Sequence, residues 1–244
     1  MANTGFNQAF GFSQSCGFGN GFSYQSQAIP TSGLLLWLDA SNPSSYSGSG
    51  NTWYDLASSP VVNNGTLLNS PTFSSNDGGY LNFDKASSQS VSVTGTGVVP
   101  SAAYTKAVWF KLTDTVSDHN LVSSDTGGHF MYFSGTSKMY CGHSNWVGYT
   151  QYPSTANFSS NTWYLAVLTY TSDEGMKLYV NGELDSTYTA NKTAHTGDGS
   201  TNIGRFGAGN FLNGRVSQVL TYNRAIDSLE VSRLYAASKV KYGL

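Results

Sequence analysis

The densest group of residues able to do chemistry lies between Tyr140 and Pro153, where Cys141, His143, Asn145, Trp146 and Tyr149 crowd together. Two chemistries use such residues. A thiol beside an imidazole could serve as nucleophile and base. A two-residue spacing on a strand, however, only puts Cys141 and His143 on one face, and no orienting third group accompanies them. A sugar site asks for a flat aromatic face and a few fixed hydrogen-bond partners. His143, Asn145, Trp146 and Tyr149 meet that requirement, with Asp125, Gly127, Gly128 and His129 as a neighbouring loop. The competing reading is a strand and loop whose Trp and Tyr complete a core or a subunit interface. The number of aromatics in the chain favours that second reading.

Hydrolysis of a glycoside needs two carboxylates flanking the scissile bond. The chain has three glutamates, and each has a local setting: Glu174 follows Asp173 in a turn, Glu183 lies in a hairpin, and Glu230 opens a helix. His119, His129, His143 and His195 are dispersed and lack the spacing of a zinc motif, as loop or surface histidines do. No catalytic residue, and hence no enzyme, is expected.

Composition narrows the class further. Of 244 residues, 11% are charged, 39% are hydrophobic and 14% aromatic, with a net charge of −2. That much aromatic surface supports a core rather than a disordered chain, and the missing basic stripe argues against nucleic acid as a partner. The longest apolar run, Leu34 to Leu38, is too short to span a bilayer. Residues 1 to 33 carry no Lys, no Arg and no continuous apolar stretch, so no secretory signal is expected and synthesis is placed in a cytoplasm. Cys16 and Cys141 then read as two free thiols, and the three Asn-x-Ser/Thr sequons as chance.

The elements that must position these residues begin near residue 33. Residues 1 to 32 read as an arm in which Gly-Phe recurs at Gly5-Phe6, Gly11-Phe12, Gly17-Phe18 and Gly21-Phe22, with Phe10 and Tyr24 as further aromatics. Such a segment has no period from which to build its own core. It reads either as a flexible tether or as an anchor whose rings are buried on a partner; the second is the expectation. From residue 33 to 244 short strands alternate with Gly, Asn, Asp and Ser turns, as in a sandwich or barrel. Leu34–Leu38, Tyr80–Phe83, Gln89–Val93, Lys106–Leu112 and Val216–Tyr222 are strand candidates. Trp163–Tyr170 is apolar on both faces, which predicts a central strand covered on each side. Asn181-Gly182 between two strands predicts a type I′ hairpin. Asp227 and Glu230 predict a capping box on a helix to about Ala237 that turns Leu234 and Tyr235 toward the sandwich.

These segments carry a family resemblance. Gly33-Leu34-Leu35-Leu36-Trp37-Leu38-Asp39-Ala40, Trp53-Tyr54-Asp55-Leu56, Asn64-Gly65-Thr66-Leu67, Tyr80-Leu81-Asn82-Phe83-Asp84 and Ala107-Val108-Trp109-Phe110-Lys111-Leu112 occur in order. Trp163-Tyr164-Leu165-Ala166-Val167, Ile203-Gly204-Arg205 and Phe211 through Ile226 continue the series. Together they resemble a laminin-G-like jelly roll of the concanavalin A-like lectin/glucanase superfamily. The resemblance implies an all-β, two-sheet antiparallel sandwich, but not a function, since this fold hosts enzymes, lectins and structural modules. Its glucanase members place their acids as Glu-x-Asp-x-Glu on one strand, a pattern missing here. Its members often hold structural calcium, for which Asp39, Asp55, Asp84 and Asp198 are the candidate ligands. Relatives commonly have an acidic pair late in the fold where this chain has Ser217-Gln218, which weakens the calcium expectation.

Three functions are carried forward. The first is a structural interaction protein, a jelly roll displayed on a large assembly such as a phage capsid or tail and held there by Phe6, Phe10, Phe12, Phe18, Phe22 and Tyr24 of the arm. The second is a carbohydrate-binding, lectin-like module for a surface glycan. The third and weakest is a glycosidase.

Overall fold

Trp163–Thr171 alternates large apolar groups on both of its faces, so it has to lie in a sheet that is covered twice. The computed structural model describes residues 29–244 except 94, 96, 126, 127, 146, 191, 197 and 198, and builds that arrangement. In chain order the strands are β1 (Leu34–Asp39), β2 (Thr52–Trp53), β3 (Gly65–Leu68), β4 (Thr72–Ser74), β5 (Tyr80–Phe83), β6 (Ser90–Val93), β7 (Ala103–Leu112), β8 (Asp118–Asn120), β9 (Val122–Ser124) and β10 (His129–Ser134). There follow β11 (Met139–Ser144), β12 (Tyr149–Pro153), β13 (Trp163–Thr171), β14 (Gly175–Val180), β15 (Glu183–Tyr188), β16 (Thr201–Ile203), β17 (Gly214–Tyr222) and the helix α1 (Ser228–Ser238).

One layer is an eight-stranded sheet in the order β15-β14-β13-β7-β17-β5-β4, with β1 paired to the far half of β17. The second layer joins the five-stranded sheet β2-β3-β6-β16-β9 to the four-stranded sheet β12-β11-β10-β8. The join is at Leu121, between β8 and β9. Its N–H donates to the Met131 carbonyl (2.9 Å) and its carbonyl accepts from Gly204 N–H (3.0 Å). The strand pairings are antiparallel throughout the described residues.

The main core lies between the layers, where Leu36, Trp53, Val91, Phe110, Met131 and Leu168 have no exposed surface. A second core covers the other side of the large sheet. There Ala107, Trp109, Leu165 and Leu220 meet Val231 and Leu234 of α1. Trp109 stacks on Tyr242 at 4.2 Å and on Tyr235 at 5.7 Å, and its indole N–H donates to Ser238 (2.8 Å). Each fully buried ring or aliphatic side chain contributes about 1.5–3 kcal/mol, so the two cores hold the large sheet rigid.

The local signals act as their chemistry demands. Asn181 (φ 51°) and Gly182 (φ 88°) make the two-residue turn between β14 and β15. Asp227 accepts from Glu230 N–H while the Glu230 carboxylate accepts from Asp227 N–H, closing the capping box. Among the described residues no helix is long and apolar enough to cross a membrane. Phe6, Phe10, Phe12, Cys16, Phe18, Phe22 and Tyr24 of the arm lie outside the described residues.

Candidate functional site

Alternation along β10 divides its side chains between two environments. Met131 and Phe133 enter the core, whereas Phe130 and Tyr132 stand on the outer face of the second layer. The register carries that outer face across the sheet. Phe130 pairs with Gly142, Tyr132 with Tyr140 and with Asn120, Gly142 with Gln151, and Ser144 with Tyr149. Directly opposed residues share a face, so rings and amides from four strands come together on one surface.

The rings are held by one another. Phe130 meets Tyr132 at 5.8 Å and Tyr149 at 6.0 Å, edge to face in both pairs, and Tyr132 stacks on Tyr140 at 5.5 Å. The Tyr132 hydroxyl donates to Gln151 Oε1 (2.6 Å). A loop closes one end of the face. Phe206 and Gly209 exchange two backbone hydrogen bonds (3.1 and 3.0 Å), and the Asn210 carbonyl accepts from Asn120 N–H (3.2 Å). The result is an open cleft of about 230 Å³ walled by Phe130, Tyr132, Tyr149 and Phe206, with Asn120, Gln151 and Asn210 as its polar groups. The far edge, β12, is fastened to the large sheet. Tyr152 stacks on Tyr188 at 4.2 Å and 7°, and Asp185 accepts from the N–H groups of Thr155 and Ala156 (2.8 and 2.7 Å).

The residues expected to form a sugar site do not stay together. Tyr149 lines the cleft and is 64% exposed. His143 is turned the other way and has no exposed surface, because its cross-strand partner is Thr150 rather than Tyr149. Its Nδ1 is 2.9 Å from the Tyr104 hydroxyl, and burial, reinforced by Lys106, pushes its pKa down to about 4. The pleat therefore turns His143 away from the cleft face. Asn145 Oδ1 accepts from Val147 and Gly148 N–H (3.1 and 2.9 Å) and so shapes the turn before β12. Asp125 accepts from Asn202 Nδ2 (3.0 Å) and lies 3.5 Å from Arg205. Trp146 lies outside the described residues. Phe130, Tyr132, Asn120, Gln151, Phe206 and Asn210 were not singled out from the sequence. The alternation Phe130-Met131-Tyr132-Phe133 was the available signal for the first two.

The candidate calcium ligands serve their own turns. Asp39 accepts from Ser41 N–H (2.9 Å) and from the Gln218 amide Nε2 (3.1 Å). Asp55 accepts from the N–H groups of Trp37, Ala57 and Asn63, and Asp84 from Ala86 N–H and the Ser87 hydroxyl. Asp198 lies outside the described residues. Among the described residues no three acidic, histidine or cysteine side chains gather as a metal site. Two of the three glutamates are engaged elsewhere, Glu174 with Lys177 (2.7 Å) and Glu230 with Arg224 through two contacts of 2.6 and 2.5 Å, and Glu183 is exposed at the start of β15. Cys141 is a buried free thiol whose pKa burial pushes up to about 12, which keeps it protonated and unreactive.

An antiparallel jelly roll with an aromatic cleft on one outer face is a lectin-like architecture. A laminin-G family model of the concanavalin A-like lectin/glucanases superfamily matches residues 84–232, more than half of the chain, and the chain belongs to that superfamily. No curated protein matches it in sequence. Among solved structures it is similar to the binding domain of Paraclostridial Mosquitocidal Protein 1 (16% identity, TM-score 0.66, 83% of this chain and 52% of that one). It is also similar to a structure of botulinum neurotoxin type C (12%, 0.65, 84% and 51%) and to Trypanosoma rangeli sialidase in complex with the inhibitor DANA (18%, 0.62, 85% and 33%). The chain thus spans about half, or a third, of the length of these structures, and at such identities the likeness is one of fold.

Proposed function

We propose that this chain is a non-catalytic, carbohydrate-binding module whose ligand lies in the cleft on the outer face of β8, β10, β11 and β12. The observation that carries the reading is the placement of Phe130, Tyr149 and Phe206 around the amides of Gln151 and Asn210. Aromatic faces stack on the C–H faces of a pyranose, and amides bond its hydroxyls in both directions. Among the described residues no Asp or Glu lines the cleft, so the carboxylate pair that glycoside cleavage requires is not supplied by them. Two of the similar structures are of proteins with sugar-like ligands, which supports a sugar for the fold but not a choice between neutral and acidic sugars. Botulinum neurotoxin type C depends upon interaction with two ganglioside molecules to get into cells, and the sialidase holds the inhibitor DANA.

The arm carries the second half of the proposal. Its Gly-Phe repeats suit burial on a partner surface, and the jelly roll would then be displayed on a large protein assembly such as a virus capsid or tail. The test of the sugar reading is a glycan array probed with the full chain and with Tyr149→Ala. Binding to a defined group of glycans, reduced at least tenfold in the variant, supports the cleft. Identical array profiles for the two proteins would contradict it.

A further inference from the structure

We infer that the cleft selects uncharged sugars and rejects those ending in a carboxylate, such as sialic acid. This inference rests on the reading of the cleft as a sugar site and adds the chemical class of the ligand.

Three observations carry it. Among the described residues the hydrogen-bonding groups that line the cleft are neutral: the amides of Asn120, Gln151 and Asn210 and the phenols of Tyr132 and Tyr149. Asn120 is already committed, accepting from the Ser123 hydroxyl (2.6 Å) and donating to the Asn210 carbonyl (3.4 Å). Gln151 accepts the Tyr132 hydroxyl proton through Oε1, which leaves its NH₂ end to donate to a ligand. One amide NH₂ suits a sugar hydroxyl. It is a poor substitute for the charged partner that a carboxylate needs once it leaves water.

The nearby cation is not available. Arg205 precedes Phe206 in the closing loop, but its Nη2 bonds Asn202 Oδ1 (3.1 Å) and lies 3.5 Å from Asp125. Its charge is neutralised beside the cleft and does not enter the lining.

A carboxylate also stands on the same face of β8. Asp118 neighbours Asn120 on β8 and is exposed. It lies near enough to add to the burial and the Tyr140 contact that push the Tyr132 phenol's pKa up. A sialic acid carboxylate approaching from this side would meet that charge, and like charges repel, while the Lys85 ammonium beside it is engaged by the Asp118 backbone carbonyl (3.4 Å).

The test compares matched glycan pairs that share one core, lactose and 3′-sialyllactose among them, by titration calorimetry against the full chain. The expected result is binding of the neutral member of at least one pair, with the sialylated member at least tenfold weaker. Gln151→Arg, which places a cation in the lining, should narrow that gap to threefold or less. Equal or tighter binding of the sialylated members by the native chain would overturn the inference while leaving the sugar reading intact. Failure of every glycan, neutral and sialylated, would overturn the sugar reading and this inference with it.

Discussion

The ring of Phe130 lies across Gly142, its partner in the adjoining strand. A β-carbon at Gly142 would stand 2.6 Å from Phe130 Cε2, 2.8 Å from Cζ and 1.8 Å from the Thr150 carbonyl oxygen. The glycine is thus what lets a large ring lie flat on the sheet and form a wall of the cleft.

Gly142→Ala should lift Phe130 and push β12 outward, since overpacking a closed contact costs about 1–3 kcal/mol. Chemical denaturation should show that loss, together with glycan binding weakened beyond what the fold's stability explains. A stable variant with native affinity would separate the glycine from the cleft.

Lys106 lies between the layers with no exposed surface, its Nζ 3.4 Å from His129 Nδ1. Burial pushes its pKa down to about 7 from 10.5, while in the unfolded chain it regains its ordinary value. Between these values the unfolded state holds a proton that the folded state does not, so stability rises with pH above 7. His143, pushed down to about 4, adds a rise between 4 and 6.5. Above about 9 the buried Cys141 thiol opposes the trend, which leaves pH 7–9 as the diagnostic window. Lys106→Met, of similar volume and uncharged, should raise the melting temperature at pH 7 and flatten the profile from 7 to 9. A profile parallel to that of the native chain would show that the lysine is accommodated without penalty.

Asp227→Ala removes the acceptor for Glu230 N–H (2.8 Å) and opens the capping box. The expected loss is about 0.5–2 kcal/mol by denaturant titration. Glycan affinity should not change, because α1 covers the face of the large sheet remote from the cleft.

If the arm anchors the chain as proposed, deleting residues 2–28 should leave a folded, soluble jelly roll that no longer attaches to the partner that the full chain binds. Because the arm carries no charge, attachment of the full chain should depend only weakly on salt. Incorporation of the truncated chain at native occupancy would move the attachment surface onto the jelly roll.

Where a signal is local, the sequence could be read. The two apolar faces of Trp163–Thr171, the Asn181-Gly182 turn and the Asp227–Glu230 box each act within a few residues, and each forms as its chemistry requires. The cleft is a different matter. Phe130, Gln151, Phe206 and Asn210 come from three separate stretches and meet only through the register of β10, β11 and β12 and a loop tied to Asn120. A slip of one residue would exchange His143 for Gly142 on the outer face, and composition does not report register. Proximity in the chain therefore drew His143 toward Tyr149 although the pleat sends them to opposite sides.

A sugar in the cleft of the second layer can be located directly. In a ¹H–¹⁵N titration of the full chain with a glycan that it binds, amide shifts should concentrate in β10, β11 and β12 and in residues 204–212. They should be lost in Tyr149→Ala. Saturable shifts centred elsewhere, such as on the large sheet or around α1, with this face silent, would place the ligand outside the cleft.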